Sequence, residues 1–245
     1  MNNIDNEGYI LIKNFFDSNQ IELFRKTFFK IFSNQTEHHL NYKINNDKDL
    51  INLYSKNKEF WVGSYDLLRY NCFINSLCAL ISESSNLFGI KSPVFASKNV
   101  VRCDMPSDDK FKFASHQDFN FNFGSKNSVT VWVPFQDTGI NDGCLKIVPG
   151  SHINGIYDHH DGNIIKDDFE YIDCPMEQGD ILVFSQFLVH KSGINSGNKV
   201  RFSLQTRFND LDCEHFINNK YEISKMEGSE NYQSSSVFNK KYFSK

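Results

Sequence analysis

No two of the six cysteines (Cys72, Cys78, Cys103, Cys144, Cys174, Cys213) form a CxxC pair or an evident disulfide framework. All-thiolate metal sites are thereby excluded, and reduced, structural thiols in a cytoplasmic protein are expected. No apolar run approaches the length that crosses a membrane, so no membrane partner is expected. Met1 to Glu7 contain neither a basic nor an apolar region, so no secretory leader is expected. Excess basic charge is missing too. The formal net charge is -4, which argues against a broad nucleic-acid surface. There are no internal repeats. A small-molecule partner is expected, and a monomer or homodimer.

What the chain does have is core-forming material. Its 245 residues are 40% hydrophobic and 23% charged, a soluble globular composition long enough for one sizeable core. Phenylalanine occurs 24 times, enough for a large aromatic interior. We expect a single domain over residues 1–245, with a helical N-terminal part (1–90), a β core (91–210) and a peripheral tail (211–245). Residues 8–12 read as a strand. Asp17 or Ser18 can cap a helix in which Ile21, Leu23, Phe24, Phe28 and Ile31 recur at helical spacing to about Phe32. Residues 33–58 show no periodicity and read as loop. A second helical region is expected over 64–87, with Leu67, Leu68, Phe73, Leu77, Leu80 and Ile81 facing inward.

From Pro93 onward the pattern is β. Val94-Phe95, residues 100–103, the β-branched Ser128 to Val133, residues 144–148, 181–184 and 200–208 read as strands. Turn residues such as Asn141-Asp142-Gly143 separate them. Residues 104–115 and the polar insertion 153–172 are long enough to serve as lids. Helices followed by short strands indicate a mainly β barrel or sandwich with helices on one side.

Chemistry gathers in three places. His116 and Asp118 stand two apart, which on a strand places both on one face. With His190 downstream they could occupy one triangular face of an octahedral ion, leaving three positions open, as in non-haem Fe(II) oxygenases; Zn(II) could take the same ligands. Structural histidines are the plainer alternative. Eleven residues after His190, Arg201 begins a strand on which Ser203, Gln205 and Arg207 share its face. A guanidinium can fork onto a carboxylate and Ser203 can add a hydroxyl donor, unless the strand is only a solvated surface. Arg207 can meet an acidic substrate group or a neighbouring carboxylate. Phe119, Phe121 and Phe123 alternate with asparagines after the metal motif, as pocket wall or as core. His159 and His160 could be substrate contacts, but an exposed loop pair is the expectation.

These segments together resemble the phytanoyl-CoA dioxygenase family of 2-oxoglutarate oxygenases. The likeness runs through His116-Gln117-Asp118, Val131 to Pro134, Asp142 to Leu145, Pro149 to His152, Gly179 to Phe184, His190-Lys191-Ser192, Asn195 and Arg201-Phe202-Ser203. It covers about residues 5–210. It implies a double-stranded β-helix, the cupin-like jelly roll. The implied iron ligands are His116, Asp118 and His190, with Arg201 on the distal carboxylate of 2-oxoglutarate. Ser192 and Trp132 match positions beside that co-substrate, and Arg102 is an upstream contact of the same kind. Asp118, rather than a small residue, implies a hydroxylase rather than a halogenase. The implied activity hydroxylates a small metabolite using Fe(II), O2 and 2-oxoglutarate, releasing succinate and CO2. A metal-binding cupin-like protein, or a degenerate barrel without turnover, is the alternative.

Overall fold

The structure is a computed structural model that describes residues 3–57, 61, 67–96, 99–108, 112–121 and 124–221. A short helix α1 (Asn3–Glu7) leads into strand β1 (Tyr9–Ile12) and helix α2 (Ser18–Leu40). Asp17 caps α2: its side chain accepts from Asn19 N at 2.7 Å while Gln20 Oε1 accepts from Asp17 N at 3.1 Å. Ile21, Phe24, Phe28 and Phe32 form the buried stripe. The helix runs eight residues past Phe32, through a segment expected to be loop. Its face there is polar: Ser33 and Thr36 are buried, and the Thr36 hydroxyl bonds back to Phe32 O at 3.0 Å. A second helix in the same segment, α3 (Asp47–Lys56), starts at Asn46, whose side chain accepts from Asp49 N at 3.1 Å.

Helix α4 (Cys72–Glu83) has Asn71 as a fresh N-cap, so its phase is independent of the residues before it. Ile74, Leu77, Cys78 and Ile81 are buried, whereas Phe73 and Leu80 are exposed. Leu67, also expected inside, is exposed as well, and only Leu68 of that pair is buried.

The β region holds β2 (Pro93–Phe95), β3 (Val100–Asp104), β4 (Val129–Pro134), β5 (Leu145–Ile147), β6 (His159–His160), β7 (Asn163–Ile164), β8 (Ile172–Cys174), β9 (Ile181–Ser185), β10 (His190–Ser192) and β11 (Arg201–Asp210). All named pairings are antiparallel, and the sheets do not close into a barrel. The main sheet runs β1-β9-β4-β11-β2, with β3 pairing the first half of β11. A second sheet runs β10-β5-β8, and β6 and β7 form a separate two-stranded arm. A final short helix, α5 (Glu214–Asn218), follows β11.

Strand alternation sends the two faces of the main sheet to different neighbours. Val129, Val131, Val133, Ile181, Val183, Phe202 and Leu204 pack with α2, α3 and α4. On the opposite face Trp132, Leu182 and Phe184 meet Leu145 and Ile147 of the second sheet, with Leu188 from the turn before β10. The molecule is mainly β with helices on one side. Phe28 bridges the layers, its ring 5.1 Å from Phe135 and 5.6 Å from Phe202. Phe28→Ala is expected to cost about 3–5 kcal/mol in urea unfolding, through lost burial and the void it leaves.

Candidate metal centre

His116 and His190 exchange both backbone hydrogen bonds, each 3.0 Å, so their side chains emerge on one side with ring centroids 4.1 Å apart. Gln117, between His116 and Asp118, is still extended, so Asp118 follows His116 with the two-residue strand step and then opens a single 3-10 turn (Asp118–Asn120). Its carboxylate lies 3.6 Å from His116 Nε2 and 3.8 Å from His190 Nε2. One ligand atom from each of the three lies within 4.8 Å of the others, and all three residues are buried.

The donor chemistry suits a divalent ion. His116 Nδ1 lies 2.7 Å from Ala114 O and His190 Nδ1 3.0 Å from Leu188 O. A carbonyl only accepts, so both Nδ1 atoms carry hydrogen and both Nε2 atoms present lone pairs. Burial, reinforced by the charge of His116, pushes the His190 imidazolium down to about 3. Burial alone would raise Asp118, but the Arg207 charge, with His116 and His190, holds its carboxyl well below the usual range.

Arg207 donates from Nε to Asp118 Oδ2 at 3.1 Å and from Nη2 to Oδ1 at 3.2 Å, and the Thr130 hydroxyl also donates to Oδ2. Thr130 and Arg207 are direct partners across β4 and β11, which brings both donors to one carboxylate. Of the two roles open to Arg207, the structure shows the bond to a neighbouring carboxylate. Gln205 accepts a further bond from its guanidinium at 3.0 Å.

Arg201 pairs through Nη2 with Asp104 at 2.6 Å, and its Nη1 donates to Gly143 O. Arg102 bonds the same Asp104 and lies 4.5 Å over the Phe113 ring. Arg201 Nε, Ser203 Oγ and Trp132 Nε1 are buried with no partner among the described residues. All three belong to one sheet face, because Trp132 opposes Gln205, which alternates in phase with Ser203 and Arg201. The Ser192 hydroxyl oxygen accepts from Phe113 N at 3.2 Å.

The aromatic run behaves unevenly. Phe119 is fully buried and stacks on Phe187 at 5.9 Å, while Phe121 stands edge-on to the His116 ring, also at 5.9 Å. Their strand alternation is lost because Phe119 lies within the 3-10 turn. Phe123 and residues 109–111 lie outside the described residues. Asp104, Thr130 and Gln117 went unnoticed as site residues, and nothing in sequence spacing marks them. Gly143 reads in the sequence as turn chemistry and as part of the family likeness, not as a neighbour of Arg201. It holds φ +78, and an added Cβ would stand 2.9 Å from Asn195 N and 3.1 Å from Arg201 Nη1.

Two histidines and one carboxylate between antiparallel sheets define the class: a non-haem iron oxygenase on a jelly-roll frame. The chain belongs to the phytanoyl-CoA dioxygenase family, whose model matches residues 4–203. The peroxisomal phytanoyl-CoA dioxygenase of Bos taurus is 24% identical over 245 residues, covering 87% of this chain and 68% of the relative. The 1-deoxypentalenic acid 11-beta-hydroxylase of Streptomyces arenae is 28% identical over 180 residues, covering 64% of this chain and 62% of the relative. Solved structures share the fold. The epimerase SnoN, in complex with Fe3+, alpha ketoglutarate and nogalamycin RO, superposes with a TM-score of 0.55 at 20% identity, covering 85% of this chain and 81% of that one. EctD from S. alaskensis in its apoform gives 0.58 at 14% identity, covering 86% and 75%.

Two expectations follow for the metal-free protein. His190 is neutral when folded and binds a proton only near pH 3, against 6.5 for a free imidazole. The unfolded chain therefore takes up more protons as pH falls, and stability should drop progressively from about pH 6.5 toward 3. Equilibrium unfolding measured against pH should show that slope, flattened in His190→Gln. Gly143→Ala should cost about 1–3 kcal/mol for its left-handed backbone and displace Arg201, read by thermal unfolding and by 2-oxoglutarate titration.

Proposed function

We propose that this chain is an Fe(II)- and 2-oxoglutarate-dependent dioxygenase that hydroxylates a small-molecule metabolite. The observation that carries the reading is the set of unpartnered buried donors, Arg201 Nε, Ser203 Oγ and Trp132 Nε1, on one sheet face with the Asp118-binding Arg207. Buried donors without acceptors are costly, and a carboxylate-bearing co-substrate would satisfy them. A metal-binding protein without turnover has no use for them.

In this reading His116 and His190 hold the ion through Nε2 and Asp118 through a carboxylate oxygen. Thr130 and Arg207 keep that carboxylate ionised and oriented, the supporting role such ligands require. Arg102 and Arg201 both bond Asp104, and the unpartnered Arg201 Nε is the donor left to meet a dicarboxylate. Iron, with 2-oxoglutarate and O2, supplies the oxidising power and releases succinate and CO2. Phe113 and Phe121 stand beside the triad, with ring centroids 5.4 and 5.9 Å from that of His116. Hydroxylation is the reaction named for the Streptomyces relative, which supports the same chemistry here.

The test is spectroscopic. Protein prepared without oxygen and mixed with Fe(II) and 2-oxoglutarate should develop a visible metal-to-ligand charge-transfer band. His190→Ala should abolish it. Arg201→Ala should raise the 2-oxoglutarate concentration needed by about 10- to 100-fold, the worth of hydrogen bonds to a charged group. A wild type without the band, or a band unchanged in both variants, rejects the assignment. Metabolites that stimulate succinate formation would then define the substrate.

A further inference from the structure

Residues 155–164 form an arm held against the metal motif from both sides of His116. On one side, buried Gln117 donates from Nε2 to Gly155 O at 2.8 Å and to Phe187 O at 2.5 Å, and its Oε1 accepts from Tyr157 N at 3.0 Å. On the other side, Ile164 N donates to Ser115 O at 2.8 Å. Between these anchors, β6 and β7 pair His159 with Ile164 and His160 with Asn163. Alternation then separates the two histidines: the His160 side chain is 80% exposed, while His159 turns inward.

His159 Nδ1 lies 2.6 Å from Tyr157 O, which can only accept, so Nδ1 carries the hydrogen and Nε2 a lone pair. Its ring stands edge-on to Phe119 at 5.4 Å, on the residue that follows Asp118. Burial lowers its affinity for a proton; the Tyr157 carbonyl opposes this, and the charge of nearby His116 adds to it. Nε2 is buried and has no partner among the described residues. A buried acceptor left unmade carries the full desolvation penalty of that atom, a feature that calls for a missing donor. The Tyr157 carbonyl engages Nδ1 and the Phe119 ring packs against the imidazole, and neither contact uses Nε2.

We propose that His159 Nε2 accepts a hydrogen bond from a hydroxyl or amine of the substrate and so orients it beside the metal triad. The proposal deepens the oxygenase reading and rests on it for the identity of the incoming molecule. It selects donor-bearing metabolites over their methylated or deoxy counterparts.

The probes are benzyl alcohol and benzyl methyl ether, which share a ring and differ in the donor. They are titrated into protein carrying 15N-labelled histidine, loaded with Zn(II) and 2-oxoglutarate to keep the spectrum diamagnetic. The alcohol should bind about fivefold more tightly than the ether, the worth of one ordinary hydrogen bond, and should move the His159 Nε2 resonance, which the ether leaves in place. His159→Phe should erase the preference, and His159→Gln, which keeps an acceptor at the end of its side chain, should retain part of it. An unmoved Nε2 resonance with the alcohol, equal binding of the two probes, or a preference that survives His159→Phe overturns the proposal. The Fe(II)/2-oxoglutarate band recorded on the same proteins separates the two readings: its absence in wild type strikes the oxygenase assignment, whereas the alcohol–ether comparison speaks only to His159.

Discussion

Strand β11 is buried over its whole length, yet only one of its faces is apolar. Phe202, Leu204 and Phe208 join the helical core; Arg201, Ser203, Gln205 and Arg207 are turned into the space between the sheets. Two guanidinium groups cannot stay there unpaired, because an isolated buried charge costs far more than its burial returns. The interior therefore has to supply carboxylates, and it does so at both ends of the strand. Asp118 meets Arg207 and Asp104 meets Arg201. Removing one member of such a pair leaves an uncompensated charge, at about 3–5 kcal/mol. This pairing holds the metal-side carboxylate ionised and fixes the Arg201 guanidinium at the far end of the strand.

The same constraint explains the shape of the centre. Asp118 meets Arg207 at the point where the chain, extended through Gln117, breaks into a 3-10 turn. The break is supported from outside by Phe119 N, which donates to Gln186 O at 3.1 Å, and by Gln117, whose amide ties three segments together. Gln117, the residue between two proposed ligands, thus joins the triad to the arm that carries His159. Further along the insertion, Tyr171 and Asp167 tie it back through Ser115 and Lys191. The polar composition of this segment reflects bonds to the residues around the triad.

Legibility followed the kind of interaction involved. Strands β4, β9 and β11 were readable because β-branched and aromatic residues alternate or run continuously there. The end of α2 was not, since its buried face continues through Ser33 and Thr36, small polar residues satisfied by bonds within the helix and from Ile44 N. In α4 the buried face was misread because a cap at Asn71 resets the helical phase. His116, Asp118, His190 and Arg201 stood out by residue type and order. Thr130 and Asp104 did not, because each matters through its cross-strand neighbour, and register leaves no mark in the chain.

The sequence by itself determined the identity of the donors: two imidazoles, a carboxylate and a guanidinium in an order that fits one class of chemistry. It also determined which strand face is polar, because a side-chain period of two follows from backbone geometry alone. Only the tertiary structure decided which charge meets which. It paired Arg207 with Asp118, shared Asp104 between two arginines, and set His159 edge-on to Phe119 beside the metal motif. Those outcomes depend on distances between residues far apart in the chain, and such distances are set by sheet register and loop anchoring rather than by local composition.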